Sequence, residues 1–152
     1  MSRRTSPPRS LARSAARLAA VQALYQQSME DTPLALLLDE FHQHRLDGTI
    51  EEERLAEAEV DFFDDLVRGV CARREEIDAL LSERLAEGWT LRRLDRTMLQ
   101  ILRAGAYELI ARADVPTASA ISEYVDVAHA FFQPREAKFV NGVLDAVAKA
   151  VR

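Results

Sequence analysis

KFVNGVLDAVAKAV, residues 138–151, is the stretch on which the fold turns. Val140, Val143, Leu144, Val147 and Val151 recur at three- and four-residue steps and share one face of a helix. Asn141-Gly142 interrupts that helix with two weak formers, and a glycine inside a helix costs about 1 kcal/mol against alanine. Phe139 lies about a quarter turn off the apolar face, with Lys138 beside it. Its i+3 neighbour, Gly142, has no side chain to cover the ring. Two readings stay open here. The ring is a platform for an unpaired base, a contact worth roughly 1–3 kcal/mol, or it caps the core edge while Gly142 lets a neighbouring helix come close.

Working outward, every segment reads as helix, and no period-two strand is evident. The spacing predicts a first helix from Ser10 to about Ser28 with a stripe of Leu11, Leu18, Val21 and Tyr25. A second opens at Pro33 and carries Leu34, Leu37, Leu38 and Phe41. His44–Ile50 is the expected loop. A third helix follows through Val60, Phe63, Val67 and Val70, and a fourth through Ile77, Leu80, Leu81 and Leu85, ended by Gly88. Leu91–Arg112 is the most apolar, with Leu94, Met98, Ile101, Leu102, Gly105 and Leu109 on one face. Ile121, Val125, Ala128 and Phe132 mark the next, and Pro134 precedes the last. The expected fold is all-α: a compact bundle of six to seven helices.

At 152 residues the chain suits one domain with a real core. The single cysteine, Cys71, excludes an internal disulfide, fits a reducing cytoplasm, and reads as a small buried filler. The basic start superficially suggests a targeting peptide, but Arg13 and Arg17 break its apolar part, so mature protein is expected. Residues 1–9 are expected to form a basic, disordered arm. The net charge of −5 hides a strong asymmetry. Residues 1–25 are basic and carry no acid, the stretch 51–65 is crowded with acids around the lone Arg54, and the last third is mildly basic. A cationic end can meet phosphate while the acidic middle stays away from it.

No catalytic constellation is present: no glycine-rich phosphate loop, no G-x-S-x-G, no H-E-x-x-H. His42 and His44, two apart, would point to different sides of a helix, so surface histidines are expected, not a metal site. His129 beside an apolar stripe suggests a partly buried structural role. The carboxylates from Glu51 to Asp65 lack the spacing of a calcium loop and read as a solvated face. Neither catalytic residues, a metal nor a cofactor is therefore expected.

Arg9, Arg13 and Arg17 fall at i, i+4 and i+8, one row of like charges that an anion would relieve. Solvated arginines needing no ligand are the alternative. On the fifth helix, Arg96, Gln100, Arg103 and Tyr107 lie opposite the apolar face. That mixture suits either a protein interface or a solvated surface.

Five ordered segments carry a resemblance: AVQALYQ (20–26), WTLRRL (89–94), ILRAGAYEL (101–109), DVPTASAISEYVDVAHAFF (114–132) and KFVNGVLD (138–145). Together they resemble the NusB family of transcription antitermination factors, while residues 30–88 match only in helical pattern. The resemblance implies two subdomains, each built on a three-helix bundle, here about 10–72 and 73–152 of a single domain spanning 10–152. It implies binding of single-stranded boxA RNA of nascent ribosomal RNA transcripts, jointly with the ribosomal protein NusE, in a complex on RNA polymerase. Arg9, Arg13, Arg17, Tyr25, Lys138 and Phe139 match the family's RNA-contacting positions, and Arg103, Tyr107 and Glu108 its partner-facing helix. The expectation is one cationic, aromatic-edged patch supplied by the first and last helices.

Met98-Leu99, Ser122, His129 and Phe132 depart from the family pattern, which bears on partner contacts more than on the fold. Self-association as a homodimer stays open, and no membrane partner is expected. Two other readings compete: a purely protein-binding helical module, and an accessory domain like that preceding some ribosomal RNA cytosine methyltransferases. With the chain ending at Arg152 there is no room for a cofactor-binding half, so no enzymatic activity is expected.

Overall fold

The computed structural model describes the backbone of residues 9–45 and 50–152, and the side chains of 11–43 and 60–152. The expected N-terminal arm, the turn within His44–Ile50 and most of the carboxylate run lie outside these. Among the described residues seven α-helices follow one another: α1 (Arg9–Glu30), α2 (Leu34–Arg45), α3 (Ile50–Ala72), α4 (Arg74–Ser82), α5 (Arg96–Ala111), α6 (Thr117–Phe131) and α7 (Pro134–Val151). No strand occurs among the described residues. Two compact units divide the chain, Met1–Val67 and Arg68–Arg152, and the division falls inside α3.

In the first unit, α1 buries an alanine face. Ala12, Ala16, Ala19, Ala20 and Ala23 sit with Val21 and Leu24 in the core. The predicted stripe is thereby corrected: Leu11 is 59% exposed and Tyr25 40% exposed. Small side chains let helix axes approach more closely, so burial centres on the alanines and the larger residues sit at the margin. Asp31, at φ 54°, ends α1 in the left-handed conformation open to a short polar residue. Leu37 and Leu38 of α2 are buried, and Phe41 stacks on Phe63 of α3 with ring centroids 5.3 Å apart.

In the second unit, α5, α6 and α7 form a three-helix bundle and α4 lies on α5. Helix α5 is buried almost all round, Gln100 and Glu108 included, as befits a central helix. Of the polar face expected opposite its apolar stripe, Gln100 and Tyr107 are interior, Arg103 is half-buried and Arg96 alone is exposed. Gly105 permits a close approach: a methyl there would stand 2.8 Å from Leu144 Cδ1 and 3.3 Å from Tyr124 Cδ2. Helix boundaries also differ from those predicted. Helix α4 stops at Ser82, short of Leu85, and Gly88 (φ 88°) turns the chain. Leu91–Arg93 makes only a 3-10 turn, and α5 begins after Asp95, whose Oδ1 accepts from Thr97 N at 2.8 Å and Met98 N at 3.2 Å. Along α6 the buried face centres on Ile121, Tyr124 and Ala128, with Val125 and Phe132 half-buried.

The end of α5 is held by an arginine distant in sequence. Arg152 donates from Nε to Leu109 O (2.9 Å), from Nη1 to Val115 O (2.6 Å), and from Nη2 to Arg112 O (2.8 Å). These carbonyls belong to the end of α5 and the turn beyond it, where backbone acceptors lack helical partners.

Candidate nucleic-acid interface

Within the first unit, the arginine row resolves into unequal members. Arg9 opens α1, and its side chain lies outside the described set. Arg13 is half-buried, with its guanidinium carbon 4.7 Å from the centroid of Phe62. Arg17 is only 3% exposed and lies over the same ring at 5.1 Å. The structure thus brings Arg13 and Arg17 together on an aromatic face. Arg17 departs from the expected row of solvent-facing cations because its stem fills the core edge as its head meets the ring. Tyr25 presents its ring at the surface.

Histidine placement differs from expectation in both units. His42 is half-buried, with Nε2 2.6 Å from Asp64 Oδ1. His129 is exposed. Cys71 is only partly buried, and Arg74 Nη2 stands 3.7 Å from its sulfur. No cluster of potential metal ligands occurs among the described residues.

Within the second unit, Lys138 is exposed and Phe139 half-buried on α7. A side chain at Gly142 would meet nothing within 4 Å among the described residues. Close helix packing therefore does not explain that glycine. Phe139 lines a cavity of about 660 Å³ with Trp89, Arg93, Met98, Phe132, Arg135 and Glu136 among its walls. Trp89 is 52% exposed, and Arg93 holds its guanidinium carbon 5.9 Å from the indole centroid. Arg93 Nη1 also donates to Gly88 O at 2.9 Å, fixing the fork beside the ring.

The residues matched to the partner-facing helix are engaged internally. Arg103 forms a two-pronged pair with Asp78 of α4, Nε to Oδ1 and Nη2 to Oδ2, each 2.9 Å. Tyr107 is 6% exposed and Glu108 fully buried. Their place in the apolar heart of α5 supplies the reason: the helix has no free side there.

A family model described as the NusB family matches residues 14–149. The chain belongs to the NusB family. It is 74% identical over 141 residues to a transcription antitermination protein NusB of Novosphingobium aromaticivorans, covering 93% of this chain and 95% of that one. It is 50% identical to the Caulobacter vibrioides NusB over 92% of this chain and 94% of that one. Among solved NusB structures, that of T. maritima aligns at a TM-score of 0.71 and 30% identity over 90% of each chain. A crystal structure of the antitermination factors NusB and NusE in complex with dsRNA aligns at 0.72 and 26% identity, over 92% of this chain and 98% of that one. The aromatic support of Arg13 and Arg17 by Phe62, and the pairing of Arg93 with Trp89, escaped the sequence reading. The i, i+4 spacing of Trp89 and Arg93 was the available signal for the second.

Proposed function

We propose that this chain is a transcription antitermination factor that binds RNA together with NusE. More finely, the RNA is a single-stranded boxA-like element of nascent ribosomal RNA transcripts, and the pair joins an antitermination complex on RNA polymerase. The observation carrying this is near full-length likeness to NusB chains, one of them solved with NusE and RNA. Arg9, Arg13, Tyr25, Lys138 and Phe139 are the proposed contacts; Arg17 supports Arg13 through Phe62. Cations engage phosphates, and the rings of Tyr25 and Phe139 offer faces to unpaired bases. Arg103, Tyr107 and Glu108 are proposed to shape the helix that the partner reads, through packing within the second unit.

Such a factor works by assembly, and no catalytic step is proposed. Its place is the cytoplasm, where nascent transcripts emerge; no described helix is long and apolar enough to cross a membrane. Fluorescence anisotropy of a labelled boxA-like RNA, titrated with and without NusE, tests the proposal. Tighter binding with NusE, weakened by added salt, is the expected result. NusE binding without any RNA response would leave the protein-binding module as the better reading.

A further inference from the structure

The cavity beside Phe139 has features that RNA backbone binding alone does not require. Its walls offer three aromatic rings, Trp89, Phe132 and Phe139, together with the flexible Met98. At about 660 Å³ it falls within the roughly 300–1,000 Å³ usual for small-ligand pockets. Its cations are accessible: Arg93 is exposed and the Arg135 side chain is 93% exposed. Lys138, next to Phe139 in sequence, is exposed as well. Glu136 also lines it, and the Oε2 of this carboxylate is shielded from solvent without a hydrogen-bond partner among the described residues. Its other oxygen stands 3.8 Å from Arg135 Nη2, too long for a strong bond. A shielded acceptor left unmatched is costly, and a ligand bringing an N–H donor would relieve it.

We propose that this cavity is a base-selective subsite, in which one unpaired amino-bearing nucleobase enters beside Trp89 and Phe139 and donates its exocyclic N–H to Glu136. Arg93, Arg135 and Lys138 then meet the phosphates on either side. This deepens the RNA-binding reading and rests on it. Asp95 also lines the cavity, but its Oδ1 is engaged by Thr97 N and Met98 N. The exposed Arg93 and Arg135, with Lys138 next to Phe139 in sequence, offer cations that a polyanion uses and an apolar peptide does not. A carboxylate accepts from cytosine N4, whereas uracil presents a carbonyl oxygen at the same position and repels it. Cytosine and uracil, nearly identical in shape, therefore form the discriminating pair.

Trp89 is the only tryptophan in the chain, so its emission reports on this cavity alone. The full-length protein is titrated at low salt and pH 7.5 with labelled single-stranded oligocytidylate and oligouridylate of equal length, reading RNA anisotropy and Trp89 emission together. Oligocytidylate is expected to quench Trp89 and to bind roughly 5–10-fold tighter than oligouridylate, the scale of a single discriminating contact. Glu136→Gln keeps the shape but presents both a donor and an acceptor. It is expected to bring the ratio close to one, chiefly by improving oligouridylate. Rising anisotropy with unchanged Trp89 emission, or equal affinities in the parent protein, overturns the subsite and leaves RNA binding elsewhere intact. A Trp89 response to NusE but not to RNA reassigns the cavity to protein. No anisotropy change with either homopolymer removes the subsite, while the RNA-binding reading stands or falls on the separate boxA-like titration with NusE.

Discussion

The ring of Tyr107 lies directly against the bare backbone of Gly69: a methyl built on Gly69 would clash with Cζ and Cε1 of that ring. Both residues belong to the second unit, where the end of α3 meets α5. The glycine is therefore a steric requirement of the tyrosine, and the tyrosine of the YEL segment is a packing residue. In an open helix, alanine would be favoured over glycine by about 1 kcal/mol. Here Gly69→Ala is expected to destabilise by about 1–3 kcal/mol, the usual cost of overpacking. Urea unfolding checks it, and a variant as stable as the parent would show that Tyr107 is free to swing away.

Gly142 supplies the opposite case, having open space where a side chain would go. Gly142→Ala is expected to raise stability by about 0.5–1 kcal/mol through helix propensity alone. If the Phe139 ring serves a stacked base, Gly142→Leu should fold equally well yet bind RNA more weakly by about 5-fold or more, since stacking is worth roughly 1–3 kcal/mol. Unaltered RNA affinity in the leucine variant would return Phe139 to a purely structural part.

Arg13 and Arg17 share Phe62 but differ in exposure, and their substitutions should separate accordingly. Arg17→Ala removes a nearly buried stem and its cation–ring contact, with an expected loss of about 1–3 kcal/mol in unfolding free energy. Arg13→Ala should change stability less and RNA binding more. Its plot of log affinity against log salt is expected to lose about 0.7 of slope, one phosphate contact on a single strand. Equal salt slopes for parent and variant would take Arg13 off the RNA.

What could be read from the sequence followed periodicity. The valine and leucine steps of α7 gave the correct buried face: Val140, Val143, Leu144 and Val147 are all buried. Periodicity misled where residue size and polarity conflicted with position. On α1 the larger residues Leu11 and Tyr25 outweighed the alanines, although the alanines are the buried face. On α5 the apolar stripe is legible, but a helix buried almost all round also hides its polar side, so Gln100 and Tyr107, read with Arg96 and Arg103 as an outer face, are buried. Contacts between residues far apart in sequence, such as Gly69 with Tyr107, leave no periodic trace. The candidate RNA residues were legible as residue types at family positions, but the burial of Arg17 depends on Phe62 in another helix.

Arg73 and Glu76 offer a pH-dependent local contact at the start of α4. Arg73 Nε donates to Glu76 Oε2 at 2.8 Å and Nη2 to Oε1 at 2.9 Å. This hydrogen bonding holds the Glu76 carboxyl below its ordinary value and the Arg73 guanidinium above its own. A depressed carboxyl stabilises the fold above its unfolded pKa, and that contribution fades as pH falls through the folded value. Glu76→Gln should therefore lower Tm slightly at pH 7 and leave it unchanged at pH 2. Both groups are exposed, so the shift should shrink in 1 M salt. A Tm difference that persists at low pH would point to lost packing instead.

Arg152 offers the strongest test of how the second unit is closed. Its guanidinium gathers carbonyls from Leu109, Arg112 and Val115, and Nη1 also reaches Thr117 Oγ1 at 3.1 Å. One side chain thus ties the end of α7 to the end of α5 and the start of α6. Charge-assisted hydrogen bonds are worth about 1.5–3 kcal/mol each in favourable cases, less where the acceptors can turn to water. Arg152→Ala is expected to cost about 1–3 kcal/mol in total. Arg152→Lys should recover little, because a single ammonium cannot span acceptors arranged for a planar fork. Amide hydrogen exchange should locate the loss, with faster exchange along the last turn of α5 and the first turn of α6. Full recovery by lysine would mean that charge near the end of α5, not the fork geometry, holds these helices together.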